Sequence, residues 1–410
     1  MSRQRVPAAI AAAAAAILLV AYVVTWAGVS RADIGASDFT ATYVGATLLR
    51  DGHGAAMYDD GLQTSLHSRL IAPAVGGNLA YVYPPAAALV VMPLSLLPLT
   101  GAYRVAQALE VLMLVAGVVV AARAAPWPLS ARRRWAPAAA AAVAVAGTGT
   151  LALGLVVQWD GLSALGLGVA YALWRREARF AGGAVLAATM TIAKPHLALG
   201  LAALLLGWRD RRILAGAAAG VVAVASVSLM AVGPAGLAGF VGAVVADGHR
   251  WPMASMLGFT SITGTWLGDG GTAQLVAAGA SVTALAGCVV LGRRVARDRA
   301  SLEVCLAAAT ILSLAASPHL LGHDLVQLAP VLVGVLARAA TRDGGDAWPA
   351  SRSWLVLVGW TLLSLAATLD MGAQDLGPPG RLVPWLLITL AIGLACSLRA
   401  PARRLAAAPT

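Results

Sequence analysis

The sequence predicts an all-α polytopic membrane protein, read as one integral membrane domain over residues 1–410. Three observations carry that prediction. Of the 410 residues, 60% are apolar and only 11% are charged, where a soluble domain carries roughly a quarter charged residues. Mean hydropathy is +0.80. Apolar runs of about 15–22 residues recur between Arg or Pro, as membrane-crossing helices require. This composition excludes an ordinary soluble enzyme. It also excludes a disordered chain, which would be poor in apolar residues.

The elements follow in order. Candidate spans fall at about 8–28, 103–122, 136–156, 158–174, 180–194, 195–208, 213–232, 272–292, 301–317, 322–339, 353–370 and 383–399, or about 12 transmembrane helices. The first run, Pro7 to Gly28, follows Met1-Ser-Arg-Gln-Arg. It is long for a signal peptide and has no clear small-x-small site, so it reads as an uncleaved helix. Segment 84–99, opened by Pro84-Pro85, reads as a re-entrant or surface helix. Were it to cross, the Arg clusters after it would change sides. Spans 180–194 and 195–208 are too short to cross fully at about 1.5 Å per residue, so a hairpin turning at Lys194-Pro195 is expected.

The net charge is +11, and of the 29 basic side chains only Lys194 is a lysine. The arginines gather in short clusters: Arg132 to Arg134; Arg175, Arg176 and Arg179; Arg209, Arg211 and Arg212; Arg293, Arg294, Arg297 and Arg299; Arg399, Arg403 and Arg404. Clusters between apolar runs mark cytoplasmic loops. A nucleic-acid partner would instead need a basic face on a soluble fold. The Arg and Ala bias is that of a GC-rich bacterial genome. The three cysteines, Cys288, Cys305 and Cys396, lie in apolar runs and imply no disulfide or metal framework.

With both termini inside, the polar residues sort to one face. His53, His67, His196, His249, His319 and His323 all fall outside, with most of the aspartates. Two extracytoplasmic loops are long, 29–83 and 233–271. There is no phosphate-cradling Gly-x-x-x-x-Gly-Lys-Ser/Thr and no dinucleotide fingerprint.

Several constellations can carry chemistry there. Asp38 reads either as the N-cap of a helix from Phe39 to Leu49 or as a base that takes a proton from an acceptor hydroxyl. Asp33 is a weaker candidate of the same kind. Tyr81-Val-Tyr83-Pro84-Pro85 fits membrane anchoring, with a substrate-lining role open to Tyr83. Gln158-Trp159-Asp160 opens a span, where Asp160 can cap. Lys194-Pro195-His196 places a lysine in an apolar region. That is expensive and points to function, here a cation for a lipid phosphate, with snorkelling as the bland alternative. In Ser317-Pro318-His319…His323-Asp324, the two histidines are spaced to share a helix face. Zinc would want a third ligand and a supporting base, and neither is evident, so no metal is expected.

Together these motifs resemble glycosyltransferase family 87. The matching features are Asp-Phe…Tyr…Leu-Leu-x-x-Gly…Tyr-Asp at 38–59, Tyr-Pro-Pro with Leu-Pro at 83–98, the Gln-led span at 158, Lys-Pro-His at 194–196, and Ser-Pro-His…His-Asp at 317–324. Their order and spacing run over roughly residues 30–335. Two departures are Trp159-Asp160, where the family often has a small polar residue or Asn, and His196, where Gln is common.

The resemblance implies a GT-C type fold in the bacterial cell membrane, with the active site on the extracytoplasmic face. It implies a polyprenyl-phosphate sugar as donor and a glycolipid or glycan as acceptor, with mannose first and arabinose next, and no other cofactor. Asp38 takes the place of the catalytic carboxylate. Tyr43, Tyr58, Tyr83, Gln158, Asp160, Lys194, His196, His319, His323 and Asp324 form the expected substrate-binding set. A phosphate ester leaves as a stabilised anion, so one base and a group of cations suffice. The alternative class is a transporter or flippase for a lipid-linked glycan, which would favour internal repeats and midplane charges. No clear repeat is present.

Overall fold

The structure is a computed structural model and describes residues 5–132, 135–247, 251–342, 351–373 and 376–398. Arg133, Arg134, Arg399, Arg403 and Arg404 of the basic clusters, with His249, lie outside the described residues. Every regular element among the described residues is helical.

Helix α1 (Arg5–Ala27) is followed by a compact helical segment: α2 (Arg31–Gly35), α3 (Asp38–Arg50), α4 (Asp60–Ile71) and α5 (Pro85–Val91), then a 3-10 turn over Met92–Leu96. The segment 29–83 is largely helix and includes the helix expected from Phe39 to Leu49. Ser30 and Asp33 close a capping box on α2, which satisfies otherwise orphaned N–H groups. Proline in the first turn of α5 costs no hydrogen bond.

The bundle proper comprises α6 (Leu99–Ala124), α7 (Leu129–Arg132), α8 (Ala136–Val145), α9 (Thr148–Val156), α10 (Asp160–Arg175), α11 (Arg179–Ala193), α12 (Leu199–Trp208), α13 (Arg211–Asp247), α14 (Phe259–Leu267), α15 (Gly271–Arg297), α16 (Leu302–Ala316), α17 (Leu328–Arg342), α18 (Ser351–Gly372) and α19 (Val383–Ser397). Its core includes Leu114, Leu153, Leu167, Leu204, Cys305 and Leu336, all fully buried.

Among the described residues, six helical stretches are long and apolar enough to cross a membrane: Leu99–Ala124, Arg211–Ala246, Gly271–Arg297, Arg299–Ala316, Gly322–Thr341 and Arg352–Gly372. A seventh forms if Ala136–Val145 and Thr148–Val156, bent by 52°, count as one span. The expected twelve full crossings are therefore not shown. The shortfall is one of length. α11 and α19 have 15 residues each, or about 22 Å of helix against a core of about 30 Å.

The segment 233–271 carries helix as well. α13 continues past a kink at Gly233 (φ 67°) and Pro234 as far as Asp247. The left-handed backbone favours glycine, and the proline removes a helical donor. The histidine pair is corrected as well. His319 lies in a non-helical stretch and His323 in a 3-10 turn over Gly322–Gln327, so they do not share a helix face. Pro318 and the turn that follows it break the helical register on which that spacing argument relied.

Candidate active site

Three chain breaks converge to build the site. The first lies between α9 and α10. Val157 sits in the left-handed region (φ 53°), an uncommon conformation for a β-branched residue that costs on the order of 1–3 kcal/mol. It turns the chain so that Asp160 becomes the first residue of α10, with Trp159 at the N-cap position. The second break is at Lys194. Proline at 195 disfavours helical backbone in the residue before it, and α11 stops there with Lys194 at φ −150°, ψ 85°. The third is the Ser317–Leu321 stretch after α16, which leads into the turn carrying His323 and Asp324.

Lys194 Nζ donates to Asp160 Oδ2 at 3.1 Å and to Asp324 Oδ1 at 2.5 Å. All three side chains are buried. The second Asp324 oxygen accepts the Leu321 N–H at 2.6 Å. His323 Nε2 stands 3.8 Å from both carboxylates, too far for a hydrogen bond. Asp160 Oδ1, Gln158 Oε1, His196 Nε2, His323 Nε2 and both amide atoms of Gln327 are buried without a hydrogen-bond partner among the described residues. Unsatisfied polar atoms in that number are costly in a finished core, and they suit a place where a ligand supplies the missing partners.

The His196 and His319 rings meet edge to face with centroids 6.4 Å apart, and Trp251 lies 6.3 Å from the His319 ring. The sequence reading passed over Trp251.

Asp38 and two carboxylates of this group bear on the same phenol, that of Tyr83. Burial, then the charges of Asp38, Asp160 and Asp324, hold the Tyr83 phenol well above its ordinary value. It therefore stays protonated and can donate. Asp38 is the first residue of α3, and Ser37 takes the N-cap position without a side-chain cap bond. Asp33 is exposed and bound by Ser30, whose hydroxyl and N–H hold its carboxyl below the usual range. That makes it a weaker base than an ordinary aspartate.

Two tyrosines are already engaged. Tyr43 donates to the Leu97 carbonyl at 2.7 Å and Tyr58 to the Tyr83 carbonyl at 2.6 Å. Both brace the segment that presents Tyr83. His67 meets the Gly35 carbonyl at 3.0 Å.

Asp160, His323 and Asp324 offer three metal-ligating atoms within 4.8 Å of one another. The Lys194 ammonium already stands between the two carboxylates, so a divalent ion would have to displace it. Glu110, a buried acid on α6 that accepts the Gly161 N–H at 2.8 Å, also escaped the sequence reading. The signal was available: a lone acid within an apolar run marks function by the same rule that singled out Lys194.

Fold and site define a multi-pass, all-helical membrane protein with a buried charged centre at the junction of broken helices. The model of glycosyltransferase family 87 matches residues 81–318, more than half of the chain, and the protein belongs to that family of membrane glycosyltransferases. No curated protein and no solved structure matches it. The matched stretch contains Tyr83, Gln158, Asp160, Lys194 and His196; Asp38, His319, His323 and Asp324 lie beyond its ends.

Proposed function

We propose that the protein moves a sugar, mannose first and arabinose next, from a polyprenyl-phosphate donor to a lipid or glycan acceptor on the extracytoplasmic face of a bacterial cell membrane. Asp38 takes the proton of the acceptor hydroxyl, and that oxygen attacks the anomeric carbon as the bond to phosphate breaks. Direct attack from the opposite face inverts the anomeric centre. No general acid is needed, because the leaving group departs as a phosphate anion.

What supports this reading is that the charges of Asp38, Asp160 and Asp324 all bear on one buried tyrosine, Tyr83, and that Asp160 and Asp324 hold Lys194. In this reading the Asp38 base and the Lys194 cation serve one site beside Tyr83. An ammonium has three N–H donors, and Lys194 gives two of them to carboxylates. The third remains for a phosphate oxygen. His196, His319 and His323 add donors around it, and Tyr83 can donate to either substrate.

The test is transfer by the purified protein in lipid, from radiolabelled polyprenyl-phosphate mannose to a host lipid extract. Asp38→Asn should fold normally and lose about 10²–10⁴-fold in rate, the usual share of a general base. Equal transfer by both proteins would remove Asp38 as the base. No transfer from mannose or arabinose donors would favour the flippase reading.

A further inference from the structure

Glu110 lies within the apolar helix α6 and is only 6% exposed. A carboxylate there is expensive unless something holds it. What holds it is the start of α10: Gly161 N donates to Glu110 Oε2 at 2.8 Å. This is one of the free N–H groups of a helix N-terminus, where the helix dipole favours an acceptor. α10 thus lacks a side-chain cap of its own and takes one from a neighbouring helix.

The packing around this contact leaves it little freedom. A Cβ on Gly161 would overlap the Glu110 carbonyl, one on Gly117 would overlap the Ala164 carbonyl, and one on Gly168 would overlap Gly117 itself. α6 and α10 therefore touch backbone to backbone through small residues, as helices in a membrane commonly do. The residue immediately before Gly161 is Asp160, which holds Lys194.

We propose that Glu110 is a positioning residue for the proposed transfer: it caps the first turn of α10 from α6 and so sets the place of Asp160, and through Asp160 that of the Lys194 ammonium. The role in transfer rests on the function proposed above, whereas the mechanical link from Glu110 to Lys194 does not.

The sequence supplies a direct readout, because Lys194 is its only lysine. An amine-reactive reagent applied to the full chain in lipid can label only Lys194 and the N-terminal amine, and mass spectrometry separates the two. In the wild type, Lys194 is buried and doubly paired, and it should label slowly relative to the N-terminus. Glu110→Ala should raise Lys194 labelling at least about tenfold, the ratio that ~1.4 kcal/mol represents. It should raise the donor KM more than the acceptor KM. Glu110→Gln keeps an acceptor oxygen and should stay within about threefold of the wild type in both readings. Gly161→Ala, which forces the two helices apart, should reproduce the Glu110→Ala result from the other side of the contact.

The proposal is overturned if folded Glu110→Ala labels and uses donor like the wild type. It is equally overturned if Glu110→Gln is as impaired as Glu110→Ala. Should Glu110→Ala not fold, the Gln and Gly161→Ala variants decide by the same readouts. If the wild type transfers nothing, the labelling series still tests the link, and only the proposed function fails.

Discussion

Two charge clusters in this protein use the same chemistry in opposite surroundings. At Lys194, one cation and two carboxylates are fully buried. At Asp210, which follows α12, two arginines converge on one carboxylate: Arg179 at 2.8 Å and Arg299 at 3.7 Å. Glu177 also binds Arg179. The arginines there are about a third or more exposed, and Arg299 lies over the Trp208 ring at 4.7 Å. Water and salt screen the second cluster and hardly reach the first. An exposed ion pair adds little to stability. A buried one need not stabilise either, but breaking it leaves an unpaired charge in a low dielectric. Disrupting the buried cluster should therefore cost far more than disrupting the exposed one.

The widest gap between the clusters should appear on removing the buried cation. Lys194→Met leaves two carboxylates facing each other, and a loss of about 3–5 kcal/mol is expected, read as thermal unfolding in detergent. The triple variant Lys194→Met, Asp160→Asn, Asp324→Asn removes all the charge. It should recover most of that stability while donor use stays lost. A single Lys194→Met as stable as the wild type would erase the contrast.

An intermediate case sharpens it. Glu303 on α16 is 1% exposed at its side chain, accepts from the Tyr171 hydroxyl at 3.0 Å and lies 3.6 Å from Arg175. Tyr171→Phe should cost about 1.5–3 kcal/mol, the range for a hydrogen bond to a charged group, and leave transfer intact.

The smallest effect belongs to Asp210. Burial alone would raise its carboxyl, but the N–H groups of Ile213 and Arg212 and the Arg179 guanidinium pull it below its ordinary value. A depressed carboxyl contributes stability above its unfolded value, about 3.9, and loses it as pH falls through the folded value. Asp210→Asn should therefore cost about 0.5–1 kcal/mol at pH 7. The difference from the wild type should close between about pH 4 and pH 2, and salt should shrink it. A gap that persisted at low pH would show that Asp210 acts through packing instead of charge.

How much of the site was legible depends on which rule applied. Lys194 was visible because a lysine is expensive in an apolar run, and Lys194-Pro195 did break the helix as the restriction before proline requires. The helix start at Asp38 was visible, and the structure places that helix at Asp38–Arg50. The pairing of Lys194 with Asp160 and Asp324, 34 and 130 residues away, was not visible, since nothing local encodes it. Glu110 carried the same signal as Lys194, a charge in an apolar run, but its partner was not visible, because a backbone N–H has no side-chain signature.

The amino-acid sequence by itself determined the class of protein, its helical content and its family, because composition, apolar periodicity and proline breaks act over a few neighbouring residues. Tertiary structure alone decided how many helices are long enough to cross and which charges meet. Span length depends on where kinks such as Gly233-Pro234 fall once helices pack. Charges far apart in the chain are brought into contact only by the packing that buries them, and burial is what gives an ion pair its cost and its use.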